Sequence, residues 1–423
     1  MKEKEPKVPK LRFPEFKNAP AWEQRKFGEV FTFPISTNTL SRSKLNYSEG
    51  EVKNIHYGDI LVNLGFIVNG DSDVLPFITG SVKNKYKNQL LQNGDIVIAD
   101  TAEDYNAGKV VEIADFSIED NVVSGLHTYA YRPNIDFGKY YLGYYMNSNS
   151  YHNQILPLLQ GTKVYSLSKK NLMLTNVIYP CNVDEQSRIG SFFSELDHLI
   201  TLHQRKLENL ENQKKSLLQR MFPKKGETTP ELRFPGFTDD WEQCKFENIW
   251  ERTSIKNTDL EYSQDDIISV SKMKYANSNK NSTEKYMKTY FKINKGDIAF
   301  EGNKSKHYSY GRFVLNDIGS GIVSHVFITF TPKIEMNMEF MKEYINNENV
   351  MKHILVKATT KTLMMTTLNV KDINKQLISI PSLQEQQQIG EFFQKQDQLI
   401  TFQQRKIDHL NDLKKGLLQQ MFV

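Results

Sequence analysis

Chemistry is the first thing this sequence lacks. No phosphate loop of the G-x-x-x-x-G-K-[ST] kind occurs, since "EGNKSK" has neither the spacing nor the Gly-Lys pair, and "GSGIVS" runs into a strand-like stretch instead of a helix. There is no Pro-Pro at all, which excludes the Asp/Asn-Pro-Pro-aromatic signature of an amino-methyltransferase, and no H-E-x-x-H or C-x-x-C metal motif. Cys181 and Cys244 are the only cysteines, too few for a disulfide framework, and with no other ligand at zinc spacing they are expected to be reduced thiols. His56, His127, His307 and His325 have no partners at a readable spacing. No apolar run approaches the roughly 20 residues needed to cross a bilayer, and the start "MKEKEPKVPKLRFPEF" has no signal-peptide core, so a cytoplasmic protein without a membrane partner is expected. These absences describe a binder whose chemistry is supplied elsewhere.

What is present is repetition. The stretch "GSFFSELDHLITLHQRKLENLENQKKSLLQRMF" ends at Phe222, and "GEFFQKQDQLITFQQRKIDHLNDLKKGLLQQMF" ends at Phe422. Upstream, "LRFPEFKNAPAWEQRKFGEV" returns as "LRFPGFTDDWEQCKFENI", "LLQNGDIVIAD" as "FKINKGDIAFEG", and "NVVSGLHTYAYRP" loosely as "GIVSHVFITFTP". The order is the same in both halves, so the 423 residues form a tandem duplication, and a chain of that length is in any case too long for one ordinary core. The expected division is 1–183, a globular part; 184–222, a helix; 223–383, a second globular part; and 384–423, a second helix.

Short β-branched and aromatic runs ("DIVIAD", "KVVEIA", "HTYAYRP", "DIAFEG", "HVFITFTP") punctuated by Gly, Asn and Asp predict strands of a mixed or mainly antiparallel sheet. "KYYLGYYMNSNSYHNQILPLL" and "MEFMKEYINNENVMKHILV" have helical spacing, so each globular part is α+β. From Glu185 to Phe222 there is no proline, and apolar residues recur every seven. One seam runs Leu196, His203, Leu210, Leu217 and the other Ile200, Leu207, Lys214, Met221. The second helix repeats them with Gln403, Leu410, Leu417 and with Ile400, Ile407, Lys414, Met421. Period seven predicts a coiled coil, with the other copy in the same chain as the nearest antiparallel partner. His203, Lys214, Gln403 and Lys414 interrupt the seams, which points to packing that is incomplete or shared with other chains.

The formal charge of +4 is a weak argument for any partner. Its distribution says more, because ten Lys or Arg, Lys280 among them, stand against three acids between Lys272 and Arg312. Within that stretch "GNKSKHYSYGR" follows a predicted strand and offers Asn303, Lys304, Ser305, Lys306, His307 and Tyr308 for base and phosphate contact. Its counterpart "TAEDYNAGK" offers Tyr105, Asn106 and Lys109. A second pair of loops brings Thr162, Lys163, Tyr165 and Ser166 in "QGTKVYSLSKK", matched by position to Thr360, Lys361, Thr362 and Leu363. Lys83, Lys85 and Lys87 are expected at alternating strand positions, where they would hold phosphates.

The junctions "YPCNVDEQSRIGSFFSELDHLI" and "IPSLQEQQQIGEFFQKQDQLI", the "LRFP…W" heads and the "QRK…L…K…LLQ-x-MF" helices together resemble the specificity subunit of a type I restriction-modification system over essentially the whole chain. The resemblance implies two target-recognition domains, each reading half of a split site in double-stranded DNA, separated by two long helices that pair as an antiparallel coiled coil and dock two modification (methyltransferase) subunits. Restriction (translocase/nuclease) subunits complete such a complex. This chain would bind no cofactor and be no enzyme, with S-adenosylmethionine, ATP and Mg in the partner subunits. The alternative is a coiled-coil adaptor whose duplicated α+β domains bind proteins.

Overall fold

In the computed structural model, residues 7–70, 75–276, 283–303, 305, 308–361 and 365–423 are described. The chain divides into two compact units, residues 1–204 with 406–423, and residues 205–405. Each unit is therefore a globular part, the first half of the helix that follows it, and the last half of the other helix.

In the first unit a five-stranded sheet carries the core. Strand Ile96–Ala99 lies at its centre, antiparallel to Thr128–Arg132 on one side and to Val110–Ile113 on the other. Phe33–Ile35 and Ile67–Val68 form the edges, the latter parallel to Val110–Ile113. All four residues of Ile96–Ala99 are buried, which is why "DIVIA" reads as a continuous apolar run. In the second unit Ile298–Glu301 takes the same place, between Ile328–Pro332 and Arg312–Leu315. Two short helices follow in each half, Tyr141–Asn147 with Asn149–Ile155, and Met338–Asn346 with Glu348–Ala358. Sheet and helices appear where the periodicity predicts them.

The long helices run Val183–Arg220 and Leu383–Met421. Their shared junction sequence has a physical reason at each position. Glu185 accepts from the Nε (2.6 Å) and NH2 (2.7 Å) of Arg12 and from the Trp22 indole (3.3 Å). Glu385 does the same for Arg233, at 2.7 Å on both arms. The "LRFP" arginines and the junction glutamates are thus partners, with the carboxylates 1% exposed. Gln186 bridges the Pro180 carbonyl and the Gly138 N–H, and Gln386 bridges the Pro381 carbonyl and the Asn337 N–H. A Cβ at Gly190 would collide with the Lys139 carbonyl, and one at Gly390 with the Asn337 side chain, so glycine lets each helix press against its own domain.

The helix ends are equally specific. Phe222 sits among Trp241, Phe340, Tyr344 and Phe393, with ring centroids 5.8–6.2 Å away. Phe422 occupies the matching cage of Trp22, Tyr141, Tyr145 and Phe193 at 5.8–6.4 Å. A backbone bond from Leu11 to the Gln420 carbonyl (2.9 Å) is repeated by Leu232 to the Arg220 carbonyl (2.8 Å).

Leu196, Ile200, Leu207, Leu210, Leu217, Met221, Ile400, Ile407, Leu410, Leu417 and Met421 are all buried or half-buried, so the period-seven positions do face inward. Two polar interruptions act within the chain, contrary to the expectation of unfinished packing. Lys414 reaches Asp197 at 2.5 Å, and Lys214 reaches Asp397 at 2.6 Å and Glu343 at 2.9 Å. A long lysine stem suits a seam position when its ammonium can leave the apolar layer for a carboxylate. Gln403 is buried and His203 half-buried.

Candidate nucleic-acid interface

In the first domain the strand Ile96–Ala99 runs through Asp100 into Thr101–Ala102, which pairs antiparallel with Tyr165–Ser166. The two loops picked out separately in the sequence are therefore one ribbon. Thr101 Oγ1 donates to the Tyr165 carbonyl (3.1 Å), and Gln160 and Ser166 exchange both backbone hydrogen bonds (3.0 and 2.8 Å). That closes a loop in which Gly161 has φ +121°, and a Cβ there would run into the Val164 carbonyl. Thr162, Lys163 and Val164 are left exposed at its tip, and Ser166 on its flank.

Tyr105 lies against Tyr165, ring centroids 4.7 Å apart, and is itself 63% exposed. Asp104 is spent on shaping the turn, taking the Asn106 backbone N–H (2.9 Å) and side-chain amide (2.8 Å). Lys109 turns inward instead, donating to the Leu61 carbonyl at 3.3 Å, and burial, with Lys414 adding, holds its pKa down. Lys83, Lys85 and Lys87 are exposed, but not at strand positions: Lys83–Tyr86 is a 3-10 turn. Buried Tyr86 is its anchor, and alternate lysines mimicked a period of two that the apolar residues do not have.

Where the central strand enters the ribbon, Asp100 has a partner that spacing in the sequence does not reveal. His127, at φ +54°, places Nδ1 3.3 Å from Asp100 and its ring edge-on to Tyr57. Burial raises the Asp100 pKa, and His127 opposes it. Lys169 lies over the Tyr129 ring at 5.1 Å. Only the match between the strand ends "IAD" and "AFEG" could have hinted at Asp100, and nothing marked His127.

The second domain repeats the construction with other side chains. Strand Thr359–Lys361 pairs with Thr366–Leu368, Asn303 bridges to Met365, and the Thr366 N–H donates to the Gly302 carbonyl at 2.8 Å. Ser168 and Asn369 cap the next helix in each domain, accepting from Asn171 (3.2 Å) and Lys371 (3.0 Å). Counting back from these caps, Tyr165 answers Thr366 and Ser166 answers Thr367. The expected match of Thr162–Ser166 to Thr360–Leu363 is therefore out of register. Thr360 stands opposite Thr367 on the outgoing strand, and the second hairpin is one residue longer.

Asn303 and Ser305 are exposed, and Ser305 closes a turn with Tyr308 (3.1 Å). The basic stretch is partly neutralised from within: Arg312 stacks on Tyr308 and binds Glu301 at 2.7 Å, while Lys292 holds Asp259 and Glu261. Lys272, Lys274, Lys285, Lys288 and Lys295 remain exposed. Lys280, Lys304, Lys306, His307 and Thr362 lie outside the described residues. Among the described residues no group of His, Cys, Asp or Glu could hold a metal ion, and no helix is long and apolar enough to cross a membrane.

One sheet end, presented twice with different polar and aromatic side chains, suits a two-headed recognition protein. The family described as type I restriction modification DNA specificity domain matches residues 20–212 and again 238–412. The chain belongs to that family: it is a DNA specificity subunit with two target-recognition domains, and its role is recognition, not catalysis. Among solved structures, it is similar to the type I restriction-modification S subunit from M. genitalium, at 14% identity and TM-score 0.53, covering 98% of this chain and 99% of that one. A second similar chain comes from a structure concerned with complex assembly and conformational transition of the type I R-M system, at 13% identity and TM-score 0.57, covering 95% and 97%. At these identities the similarity is one of fold. No curated protein sequence matches the chain.

Proposed function

We propose that each domain reads one half of a bipartite site in double-stranded DNA through its ribbon, and that the two long helices pair as an antiparallel coiled coil that spaces the readers. The observation that carries this reading is the ribbon itself: the same backbone device occurs in both halves, with Tyr105, Lys163 and Tyr165 on one and Asn303, Thr360 and Thr367 on the other. Equal scaffolds with unequal side chains suit two different half-sites. The pairing is supported by the inward seams and by the Lys–Asp link made once in each unit.

The helices also dock two modification subunits in this reading. Leu199 and Leu202 are exposed on one helix, and Leu399 and Phe402 at the same positions on the other. Two equal apolar patches suit two copies of one partner. Those partners carry S-adenosylmethionine, and the restriction subunits carry ATP and Mg.

Mapping methylated adenines after co-expression with the modification subunit tests this. The expected result is a split motif with a fixed gap, in which Tyr105→Ala with Tyr165→Ala degrades one half only; an uninterrupted motif, or loss of both halves together, rejects it. Binding of the assembled complex to its site should fall on the order of 10³-fold between 50 and 200 mM salt, as for proteins neutralising several phosphates. A seven-residue insertion after Lys206, matched by one after Lys406, adds about 10 Å of helix. The gap should grow by about three base pairs, at ~3.4 Å each along one strand, while both half-sites persist; an unchanged gap argues against helix length as the spacer.

A further inference from the structure

The two halves diverge at one cavity. In the first domain Gln154, six residues after Ser148 at the helix N-cap, is tied to strand Asn176–Tyr179, accepting from the Asn176 N–H (2.9 Å) and donating to its carbonyl (3.1 Å). Six residues after the matching cap Asn347 stands His353. There the space is open, a cavity of about 360 Å³ whose lining includes Lys224, Lys225, Lys357 and Lys375 against the single carboxylate of Glu227. The residues at the places of Lys357 and Lys375 in the first domain are Leu158 and Leu174. The repeat has exchanged an amide and two leucines for an imidazole and two ammonium groups.

His353 Nδ1 is buried without a hydrogen bond. Lys224 is engaged by Glu231 at 3.2 Å and Lys375 lies 3.9 Å from Asp372, whereas Lys225 and Lys357 have no ion-pair partner among the described residues. We propose that this cavity is a binding site for a phosphate group, held by Lys225, Lys357 and His353. Lys225 and Lys357, unpaired around one open space, repel each other, and an anion removes that repulsion. An imidazole that gains a proton beside the anion adds an N–H donor. None of the residues that line this cavity belongs to the ribbon, so the site stands whether or not the ribbon reads bases.

Binding should be linked to pH through His353. The groups that face it are Lys357 on its own helix, Tyr344 on the preceding one, Lys224, Lys225 and Glu227 on the segment after the central helix, and Lys375 before strand Leu377–Ile380. Burial, then Lys357, hold the imidazole pKa down and Lys225 adds to this; the Asn349 backbone, one turn earlier, opposes it although Nδ1 makes no hydrogen bond of good distance and angle. An arriving dianion favours the protonated ring, so binding tightens as pH falls.

Sulfate is a suitable probe because it does not itself titrate between pH 8 and 6. Calorimetric titration of the full chain at constant ionic strength should show millimolar binding that tightens towards pH 6. His353→Gln, which copies the residue of the first domain, should weaken binding at least tenfold and flatten the pH profile. Lys357→Leu should weaken it several-fold and keep the pH dependence. A non-specific DNA duplex then distinguishes the source of the phosphate. Weaker duplex binding by His353→Gln assigns the site to the DNA backbone, and unchanged duplex binding with lost sulfate binding assigns it to a free phosphate; both uphold the proposal. Sulfate affinity that is unchanged in His353→Gln overturns it, as does a cavity that takes a glutamate-rich peptide and no sulfate.

Discussion

Phe422→Ala is expected to unfold the first unit selectively. Removing a buried phenylalanine ring typically costs about 3–5 kcal/mol, and this ring touches Trp22, Tyr141, Tyr145 and Phe193, all of the first unit. A loss of that size is a large share of a domain's net stability, commonly about 5–15 kcal/mol. Denaturant unfolding followed by tryptophan fluorescence should separate the transitions, because Trp22 reports one unit and Trp241 and Trp250 the other. Phe222→Ala should lower the second transition instead. The control is Gln419→Ala on the exposed face of the same helix end, which should change little. If Phe422→Ala is as mild as Gln419→Ala, the terminal helix is not part of the first unit's core.

The second large effect is expected at the junction glutamates. Glu185→Ala leaves the buried Arg12 with only the Ala19 and Pro20 carbonyls to accept from it, and Glu385→Ala takes from Arg233 its hydrogen-bonded carboxylate, leaving only the charges of Asp239 and Asp240 nearby. Breaking a buried pair by removing one member typically costs about 3–5 kcal/mol, mostly the penalty of the stranded charge. Replacing both members should therefore cost less than replacing one, so Glu185→Leu with Arg12→Met should recover much of the loss. A double-mutant cycle on unfolding free energy measures this directly. Additive losses would mean that the two residues stabilise the domain independently, despite the 2.6 and 2.7 Å contacts.

What this sequence makes legible is what is local. Helix periodicity and buried strands are written in the residues that form them, so "DIVIA" and the heptads were legible. The pairing of Thr101–Ala102 with Tyr165–Ser166 joins segments about sixty residues apart, and nothing in either segment names the other. Each was recognisable as a polar loop, but not as half of a ribbon. Glu185 and Arg12 were visible only as separate motifs for the same reason. In two places composition imitates geometry. The lysines at 83, 85 and 87 alternate like a strand while the chain turns around Tyr86, and the Thr-Lys pairs at 162 and 360 align by type while their hairpins differ by one residue. Lys214 and Lys414 looked like flaws in a seam because their carboxylate partners lie on the other helix and on Glu343, far away in sequence. His127 owes its position to a left-handed backbone, which composition does not announce.

The place of Phe422 also imposes a schedule on synthesis. The cage formed by Trp22, Tyr141, Tyr145 and Phe193 is complete once the first half has left the ribosome, yet its occupant is made two hundred residues later. At about 5–20 residues per second the nascent first domain waits on the order of 10–40 s with an open aromatic socket. The second domain has no such delay, since Phe222 precedes it in the chain. Phe222 cannot stand in for Phe422, because Phe193 of the same socket lies on the helix that ends just before Phe222, about 40 Å away along the axis at 1.5 Å per residue.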